Sequence, residues 1–321
     1  MALLMRLAKA GRLICLSRST PSQGVPRHVV AFSSSSGDEP APVDPKIGAK
    51  ESRAATGPNI GGDYPTGAIG PIGSDGLPTY VDWVKFGAVT PLQNQGECGS
   101  CFSFSAAASL EGLHFIQTGQ LFKLSEQHIL DGSHLRNHGC EGGSAYEALL
   151  YIKRNGGIVF SDHYPYIGKQ CVPKKLTAPG LMIDDAVNYT SISEHVLKWQ
   201  VAHQPVCATI GADDEFYADV KAGVLVLEGP NFPLSEIYDR EIAHSIAIVG
   251  YGAVNPGGRQ VWLAKCSNGN FLLIDRGSGA LGINRSISFP IRVSCTREVI
   301  NVTVKSDEEL GAEPRTNLYP Y

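Results

Sequence analysis

The sequence contains no run of about 18 consecutive apolar residues, the length that a membrane-spanning helix requires. It also lacks a basic patch or a sustained block of one charge, and its net charge is only −4. These absences argue against nucleic acid or anionic lipid as a partner. With 321 residues, 43% of them hydrophobic, the chain can bury one large core or two moderate ones. We therefore expect a globular protein.

Acidic residues are absent from the first 37 positions, whereas five basic residues occur there. On a helix, Leu3, Leu4, Leu7 and Ile14 share one face, so the segment is amphipathic. A secretory signal peptide needs about 7 to 15 uninterrupted apolar residues, and Arg6 breaks the longest run. This composition predicts a mitochondrial targeting peptide over residues 1–36. A poorly formed signal peptide, with a lysosomal or secreted protein, remains the alternative.

Residues 37–76 are rich in Gly, Pro, Ala and Asp and show no helical periodicity. Such a composition predicts an extended linker. The last thirty residues, 292–321, are largely polar and form a separate C-terminal extension, for which we expect a role in docking on a partner.

A cysteine and a histidine lie in surroundings that favour nucleophilic catalysis. The string Gln95-Gly96-Glu97-Cys98-Gly99-Ser100-Cys101 precedes a run of small and apolar residues without proline up to Gly119, which predicts a long helix beginning at Cys101. Far downstream, His244 opens a strongly apolar strand. A helix N-terminus and a neighbouring imidazolium both lower a thiol pKa, so we expect Cys101 to be a reactive thiol. The alternative is an inert, buried cysteine.

Further short motifs follow in a fixed order, and together they resemble the papain-like cysteine peptidases over residues 77–291. They are Leu77-Pro78-Thr79-Tyr80-Val81-Asp82-Trp83, Leu124-Ser125-Glu126-Gln127, Gly139-Cys140-Glu141-Gly142-Gly143, Tyr164-Pro165-Tyr166, Gln204-Pro205-Val206 and the string from His244 to Gly252. The resemblance implies an α+β fold of two lobes. We expect a helical lobe over residues 77–183, a β-barrel-like lobe over residues 184–291 and an active-site cleft between them.

The resemblance also implies roles for individual residues. Cys101 would be the nucleophile and His244 the base, while the Gln95 amide and the Cys101 backbone N–H would form an oxyanion hole. On the acyl side, Gly142 and Gly143 would present backbone to an extended peptide, and Ala145 and Tyr146 would shape the adjoining pocket. Cys98 and Cys140 match a pair of cysteines that form a disulfide in the family.

The sequence departs from the family pattern at several positions. Cys266 stands where the family has an asparagine that orients the imidazole, and a thiol is a weak hydrogen-bond acceptor. A tryptophan-bearing hairpin after this position is missing. Gly132 and Leu281 replace two further disulfide cysteines, which leaves Cys171 without its family partner and suits a reducing compartment. No segment before residue 77 matches an inhibitory propeptide.

Another cluster, His134, His138 and Cys140, lacks a fourth metal ligand at a usual spacing, so we predict a solvated loop and no metal or cofactor. The sequence therefore predicts a cysteine-type peptidase acting on peptides or proteins, with impaired turnover. The rival hypothesis is a weakly active or inactive papain-like domain that serves as a structural subunit of an organellar assembly, joined through its C-terminal extension.

Overall fold

The computed structural model describes residues 67–254, 258–292 and 299–314. The targeting peptide predicted for residues 1–36 and most of the linker lie outside the described residues.

Three helices form the centre of the first lobe: α1 (Cys101–Thr118), α2 (Glu126–Gly132) and α3 (Ala145–Asn155). The predicted end of α1 is confirmed, because Gly119 adopts a left-handed conformation with φ 74° and its N–H caps the Phe115 carbonyl. At the start of α2, the Ser125 hydroxyl accepts a hydrogen bond from the His128 N–H. The helices enclose a core that includes Phe102, with a fully buried ring, and the buried face of α3.

A three-stranded antiparallel sheet flanks these helices. Its strands are β2 (Ile158–Val159), β3 (Thr177–Leu181) and β10 (Ile300–Thr303), in the order β10-β3-β2. The last strand comes from the C-terminal extension, so the chain returns to the helical lobe after completing the second lobe.

The second lobe is built around a seven-stranded antiparallel sheet. Six strands follow the order β4-β9-β5-β6-β7-β8, and β1 pairs with β6. The strands are β1 (Val81–Asp82), β4 (Asp185–Thr190), β5 (Val206–Gly211), β6 (Ala243–Val254), β7 (Arg259–Lys265), β8 (Phe271–Asp275) and β9 (Ser286–Ile291). Three short helices accompany the sheet: α4 (Glu194–Val201), α5 (Asp214–Ala222) and α6 (Leu234–Asp239).

The two larger hydrophobic cores, one in each lobe, confirm the predicted two-lobed α+β architecture. The apolar run of β6 explains its central place: its residues from His244 to Tyr251 are all buried, as is typical of a strand covered on both faces. Helix α1 packs against β6, so the boundary between the lobes brings the start of the helix beside the start of the strand.

Residues 67–76 do not form an extended linker. They pair with the segment that follows them, with Ile69 opposite Val81 and Ile72 opposite Pro78. A salt bridge of 2.6 Å between Asp75 and Lys198 fixes this hairpin to the second lobe. The ordered domain therefore begins before residue 77, and its first strand belongs to the β-rich lobe although the sequence assigns it to the helical one.

The described part of the C-terminal extension, residues 299–314, packs on the chain's own helical lobe. The Tyr151 hydroxyl donates a hydrogen bond to the Lys305 carbonyl at 2.6 Å, and Asp307, fully buried, pairs with Arg154 at 2.8 Å. The Asp307 N–H also donates to the Gly132 carbonyl at 2.7 Å. This segment is thus part of the fold, and any docking on a partner would use the surface it leaves exposed.

Contacts at Gly132 explain why this position carries no side chain. A Cβ atom there would lie 1.9 Å from the Tyr151 hydroxyl oxygen. Helix α2 can approach Tyr151 so closely only because residue 132 is glycine. Cys171 is a free cysteine in the structure, and its backbone N–H instead donates to the Asp131 carboxylate at 2.7 Å.

Candidate active site

Cys101 is the first residue of α1 and lies on the boundary between the two lobes. A disulfide between Cys98 and Cys140 holds the loop before it, and the Gly99 N–H donates to the Cys140 carbonyl at 2.8 Å. A Cβ on Gly99 would lie 2.6 Å from that carbonyl oxygen, so glycine permits this close approach. Because the first N–H groups of a helix have no intrahelical partner, the Cys101 amide is available to a ligand.

His244 lies opposite, at the second position of β6. Its Nε2 atom is 3.1 Å from the Cys266 sulfur, which leaves Nδ1 as the ring nitrogen that can serve Cys101. The Ser245 N–H, next along the strand, donates to the Cys101 sulfur at 3.4 Å. The structure therefore brings Cys101, His244 and Cys266 together at one site. In the described hydrogen bonds, however, no bond joins Cys101 directly to His244.

Burial controls the protonation of both groups. Burial raises the pKa of the Cys101 thiol, and hydrogen bonds from the Ser245 and Phe102 amides offset this only in part. Burial also lowers the pKa of His244 to about 4. The expectation of a lowered thiol pKa is wrong for the substrate-free site, because desolvation outweighs the helix N-terminus and the neighbouring imidazole is neutral. These directions favour a neutral thiol beside a neutral imidazole before substrate binds.

Cys266 occupies the place of the imidazole-orienting group, directly after β7. It is 1% exposed, and burial raises its pKa to about 12, so it is present as a thiol. A thiol can accept weakly from an imidazole N–H or donate to an imidazole nitrogen. Cys266 is therefore an ambiguous partner for His244.

Gln95 is held by contacts on both sides of its amide group. Its Nε2 donates to the Cys98 carbonyl at 2.8 Å, and its Oε1 accepts a hydrogen bond from the Ser267 hydroxyl. The Gln95 N–H donates in turn to the Ser267 carbonyl at 2.7 Å. With its oxygen occupied, the amide keeps a second N–H free for an incoming oxyanion. The orientation of Gln95 thus depends on the turn that follows Cys266.

The predicted acyl-side residues flank the Cys98–Cys140 disulfide. The Gly142 carbonyl accepts from the His138 N–H at 2.8 Å, whereas none of the backbone hydrogen bonds between described loops uses Gly143, which is exposed. Gly143 is thus the backbone position available to a peptide. Ala145, 5% exposed, is buried at the start of α3, whereas Tyr146 is partly exposed beside it.

Several residues that sequence reasoning missed stabilise the site. The Tyr166 hydroxyl donates to the Gln95 carbonyl at 2.7 Å and lies 2.7 Å from the Ser100 hydroxyl, so it ties together the two segments on either side of the disulfide cysteine. Ser267, which orients Gln95, had no signal of its own apart from its place beside Cys266.

Lys265, the residue before Cys266, is also buried. Its Nζ donates to the Thr90 hydroxyl at 2.8 Å, and Thr90 donates to Glu111 of α1 at 2.6 Å. Burial lowers the pKa of Lys265 to about 8. This chain of hydrogen bonds joins the end of β7 to α1, and so fixes the segment carrying Cys266 relative to the helix carrying Cys101.

His134, His138 and Cys140 do not form a metal site. Cys140 is bonded to Cys98, and His134 Nε2 lies 3.2 Å from Glu308 in the C-terminal extension. Within the described ranges, no group of three or more metal-ligating side chains is arranged to hold an ion. No helix in the same ranges has the length and apolarity of a membrane span.

Several known cysteine endopeptidases are similar to this chain in sequence. Cysteine endopeptidase Rep1 of Oryza sativa subsp. japonica is 36% identical over 234 residues, which cover 69% of this chain and 60% of Rep1. Zingipain-2 of Zingiber officinale is 34% identical, covering 68% of this chain and 98% of its own length. The chain thus spans less than two thirds of the length of Rep1, and likewise of the KDEL-tailed cysteine endopeptidase CEP2 of Arabidopsis thaliana, of which it covers 61%.

Solved structures agree with the sequence relatives. The Carica candamarcensis cysteine protease CMS1MS2, solved in complex with E-64, superposes with a TM-score of 0.57 at 34% identity, covering 67% of this chain and 99% of that one. The Amb a 11 cysteine protease, a ragweed pollen allergen solved in its proform, gives a TM-score of 0.59 at 33% identity and covers 67% of each chain. A family model described as papain family cysteine protease matches residues 77–290. The chain therefore belongs to the papain family of cysteine proteases.

Proposed function

We propose that this protein hydrolyses peptide bonds with Cys101 as the nucleophile. The observation that carries the proposal is the meeting of three elements at one cleft: the start of α1 with Cys101, the start of β6 with His244, and the loop that holds the Gln95 amide. A purely structural subunit would not need an oriented amide beside a thiol and an imidazole. The family relationship supports the same activity.

In the mechanism, the neutral imidazole acts as a general base. As the Cys101 sulfur attacks the scissile carbonyl carbon, His244 Nδ1 takes the thiol proton and the carbonyl oxygen becomes an oxyanion. The Cys101 backbone N–H and the free N–H of Gln95 donate to that oxygen, and each such donor contributes about 3 to 4 kcal/mol to transition-state stabilisation. The imidazolium then protonates the departing amine, leaving a thioester. Water, activated by His244, hydrolyses the thioester and releases the thiol.

Turnover in this mechanism is limited by Cys266. For His244 to accept the thiol proton at Nδ1, its Nε2 must carry hydrogen and donate to Cys266. A thiol accepts that hydrogen bond weakly, and it can reverse the bond by donating its own hydrogen to Nε2. The second arrangement places the imidazole hydrogen on Nδ1, where the ring cannot act as a base toward Cys101. We therefore propose an active but slow enzyme.

We also propose that the protein works inside mitochondria as part of a larger assembly. The acid-free, amphipathic leader supports this location. The mature chain would begin between about Val30 and Asp38. Sequencing the N-terminus of the protein from fractionated cells tests the location, and a glycosylated chain in a lysosomal or secreted fraction would refute it. Co-migration with a larger complex in native gels tests the assembly.

Hydrolysis of an internally quenched peptide library tests the activity. We expect cleavage by the mature protein, loss of cleavage in Cys101→Ser, and full cleavage in Cys207→Ser, a matched change at another buried free cysteine. Absence of cleavage by the correctly folded wild type, or equal cleavage by Cys101→Ser, would contradict the proposal and favour the structural-subunit hypothesis.

A further inference from the structure

An apolar groove lies between helix α5 and the start of β8. It encloses about 220 Å³, and its apolar lining includes Val220, Val224, Leu225, Leu227 and Phe271. None of the residues that line it carries a charge. The volume is below the 300 to 1,000 Å³ typical of pockets for drug-sized ligands, so it suits one or two side chains.

The wall of the groove formed by α5 continues into the catalytic site. Tyr217, Val220 and Val224 follow one another at spacings of three and four, which places them along one side of α5 and the turn after it. At the catalytic end, the Phe216 ring lies 6.3 Å from the His244 ring and 5.1 Å from the Tyr217 ring. Burial raises the pKa of Tyr217, and the Cys101 and Cys266 thiols are near enough to raise it further if they ionise.

The opposite wall is also continuous with the site. Cys266 donates its backbone N–H to the Asn270 carbonyl at 3.0 Å, which closes the short turn from β7 into β8. Asn270 and Phe271 line the groove immediately beyond this turn. Both walls therefore begin close to residues that contact or neighbour His244, which places the groove beside the catalytic site.

Apolar side chains in this groove remain uncovered by the described part of the chain. Leu225 is 62% exposed and Val224 is 42% exposed, and Tyr217, along the same side of α5 but outside the groove, is 50% exposed. Exposed apolar side chains at single positions are common, but several that line one concave surface mark a binding site. Because the lining has no charge, burying an acidic or basic side chain there would leave that charge unpaired.

The groove lies in the same lobe as His244, the group that protonates the leaving amine, and not in the lobe of the acyl-side residues. Gly143 and Ala145 flank the Cys98–Cys140 disulfide in the helical lobe, whereas α5 and β8 belong to the β-rich lobe. Val220 is about one helical turn, or 5.4 Å, beyond Tyr217. An extended peptide advances about 3.3 Å per residue, so a chain leaving the scissile bond past Tyr217 reaches the groove at about its second residue.

We propose that this groove binds a bulky apolar side chain of the substrate, carried by the second residue on the leaving-group side of the scissile bond. The inference rests on the proposed peptidase function and specifies its substrate class: peptides with Leu, Phe or a similar residue at that position. Tyr217 would flank the first leaving-group residue and guide the chain from His244 into the groove.

Two kinds of substrate separate this inference from the activity itself. The first is a coumarylamide, which has no residue on the leaving-group side. The second is a set of internally quenched peptides that share one acyl half and carry Leu, Phe, Ala or Asp at the second leaving-group position. We expect kcat/KM for the Leu and Phe peptides to exceed that for Ala by about tenfold, with Asp lower still.

Variants locate the preference. Leu225→Asp and Val224→Asp change exposed side chains in the groove and should reduce the preference for Leu and Phe about tenfold, with little change in coumarylamide hydrolysis. Val172→Asp, at an 87% exposed valine in the helical lobe, is the matched control and should keep the preference. Thermal melts establish that each variant is folded. If only one of the two groove variants folds, that variant is enough for the test.

The outcomes are distinct. Hydrolysis of the coumarylamide with equal rates for Leu, Ala and Asp peptides would overturn the groove assignment and leave the peptidase function intact. A preference that survives both groove variants would also overturn it. Absence of hydrolysis of every substrate would overturn the peptidase function and this inference with it.

Discussion

Replacing Cys266 by asparagine should increase peptide hydrolysis. The Cys266 sulfur lies 3.1 Å from His244 Nε2, inside the lobe boundary where both residues are buried. An asparagine side-chain oxygen accepts hydrogen bonds only, so it would fix the hydrogen on Nε2 and leave Nδ1 free to take the Cys101 proton. The thiol partner enforces neither choice.

The size of the effect follows from the strength of one hydrogen bond. A neutral hydrogen bond contributes about 0.5 to 1.5 kcal/mol net, and a thiol acceptor contributes less. Fixing the tautomer alone recovers only the population that the unproductive form held, so most of the effect must come from stabilising the imidazolium that forms as Cys101 attacks. A gain of about 1.4 kcal/mol from that stabilisation corresponds to roughly a tenfold rise in rate. We therefore expect kcat/KM of Cys266→Asn to exceed that of the wild type by about tenfold.

The assay is steady-state cleavage of one internally quenched peptide at neutral pH, together with a thermal melt of each variant. Asparagine is larger than cysteine, and overpacking a buried site costs about 1 to 3 kcal/mol of stability, so the melt must show that the variant is folded. Cys266→Ala removes the thiol without supplying an acceptor and should not gain activity. Cys171→Asn makes the same chemical change at a remote free cysteine and should leave the rate unchanged. A folded Cys266→Asn protein with an equal or lower rate would refute the tautomer argument.

Three further predictions concern pH and stability. Burial lowers the pKa of His114 and His244 from 6.5 to about 4, and that of His128 to about 3. The unfolded chain therefore binds more protons than the folded one below pH 6.5, so the free energy of unfolding should fall by several kcal/mol as the pH drops from 6.5 to about 3. Urea unfolding across that range measures this change, and a flat profile would contradict the prediction. For the same reason, kcat/KM should fall on the acid side of its pH profile only near pH 4. A fall centred near pH 6.5 would contradict the neutral-imidazole assignment. Arg154→Ala should destabilise the fold by about 3 to 5 kcal/mol, because it leaves the buried Asp307 unpaired. Lys153→Ala, which breaks an exposed pair with Asp185, should change stability by less than about 1 kcal/mol. Equal losses in the two variants would show that the C-terminal extension contributes little to stability.

Local sequence predicted the elements that carry the chemistry. The run of small and apolar residues between Cys101 and Gly119 predicts a helix, and a glycine in the left-handed conformation ends that helix where expected. The apolar string after His244 likewise predicts a buried strand, and the structure has one there. These features depend on neighbours in sequence, so they were accessible without the fold.

Features that depend on contacts between residues far apart in the chain could not be predicted from the sequence. The predicted direction of the Cys101 pKa shift was wrong, because the sequence shows the helix N-terminus but not the burial that desolvates the thiol. The polar C-terminal extension gave no sign that Asp307 would be buried against Arg154, since only the fold brings these residues together. The replacement at Gly132 appeared as a lost cysteine, whereas its structural reason is the hydroxyl of Tyr151.

The most direct test of the account is to map where a thiol-reactive epoxide inhibitor of the E-64 type attaches to the protein. Mass spectrometry of the labelled wild type should find the adduct on Cys101 alone among the free cysteines, and labelling should fall sharply in His244→Ala, which lacks the base. An unmodified Cys101 in the folded protein, or equal modification of Cys101 and Cys171, would contradict the assignment of Cys101 as the nucleophile.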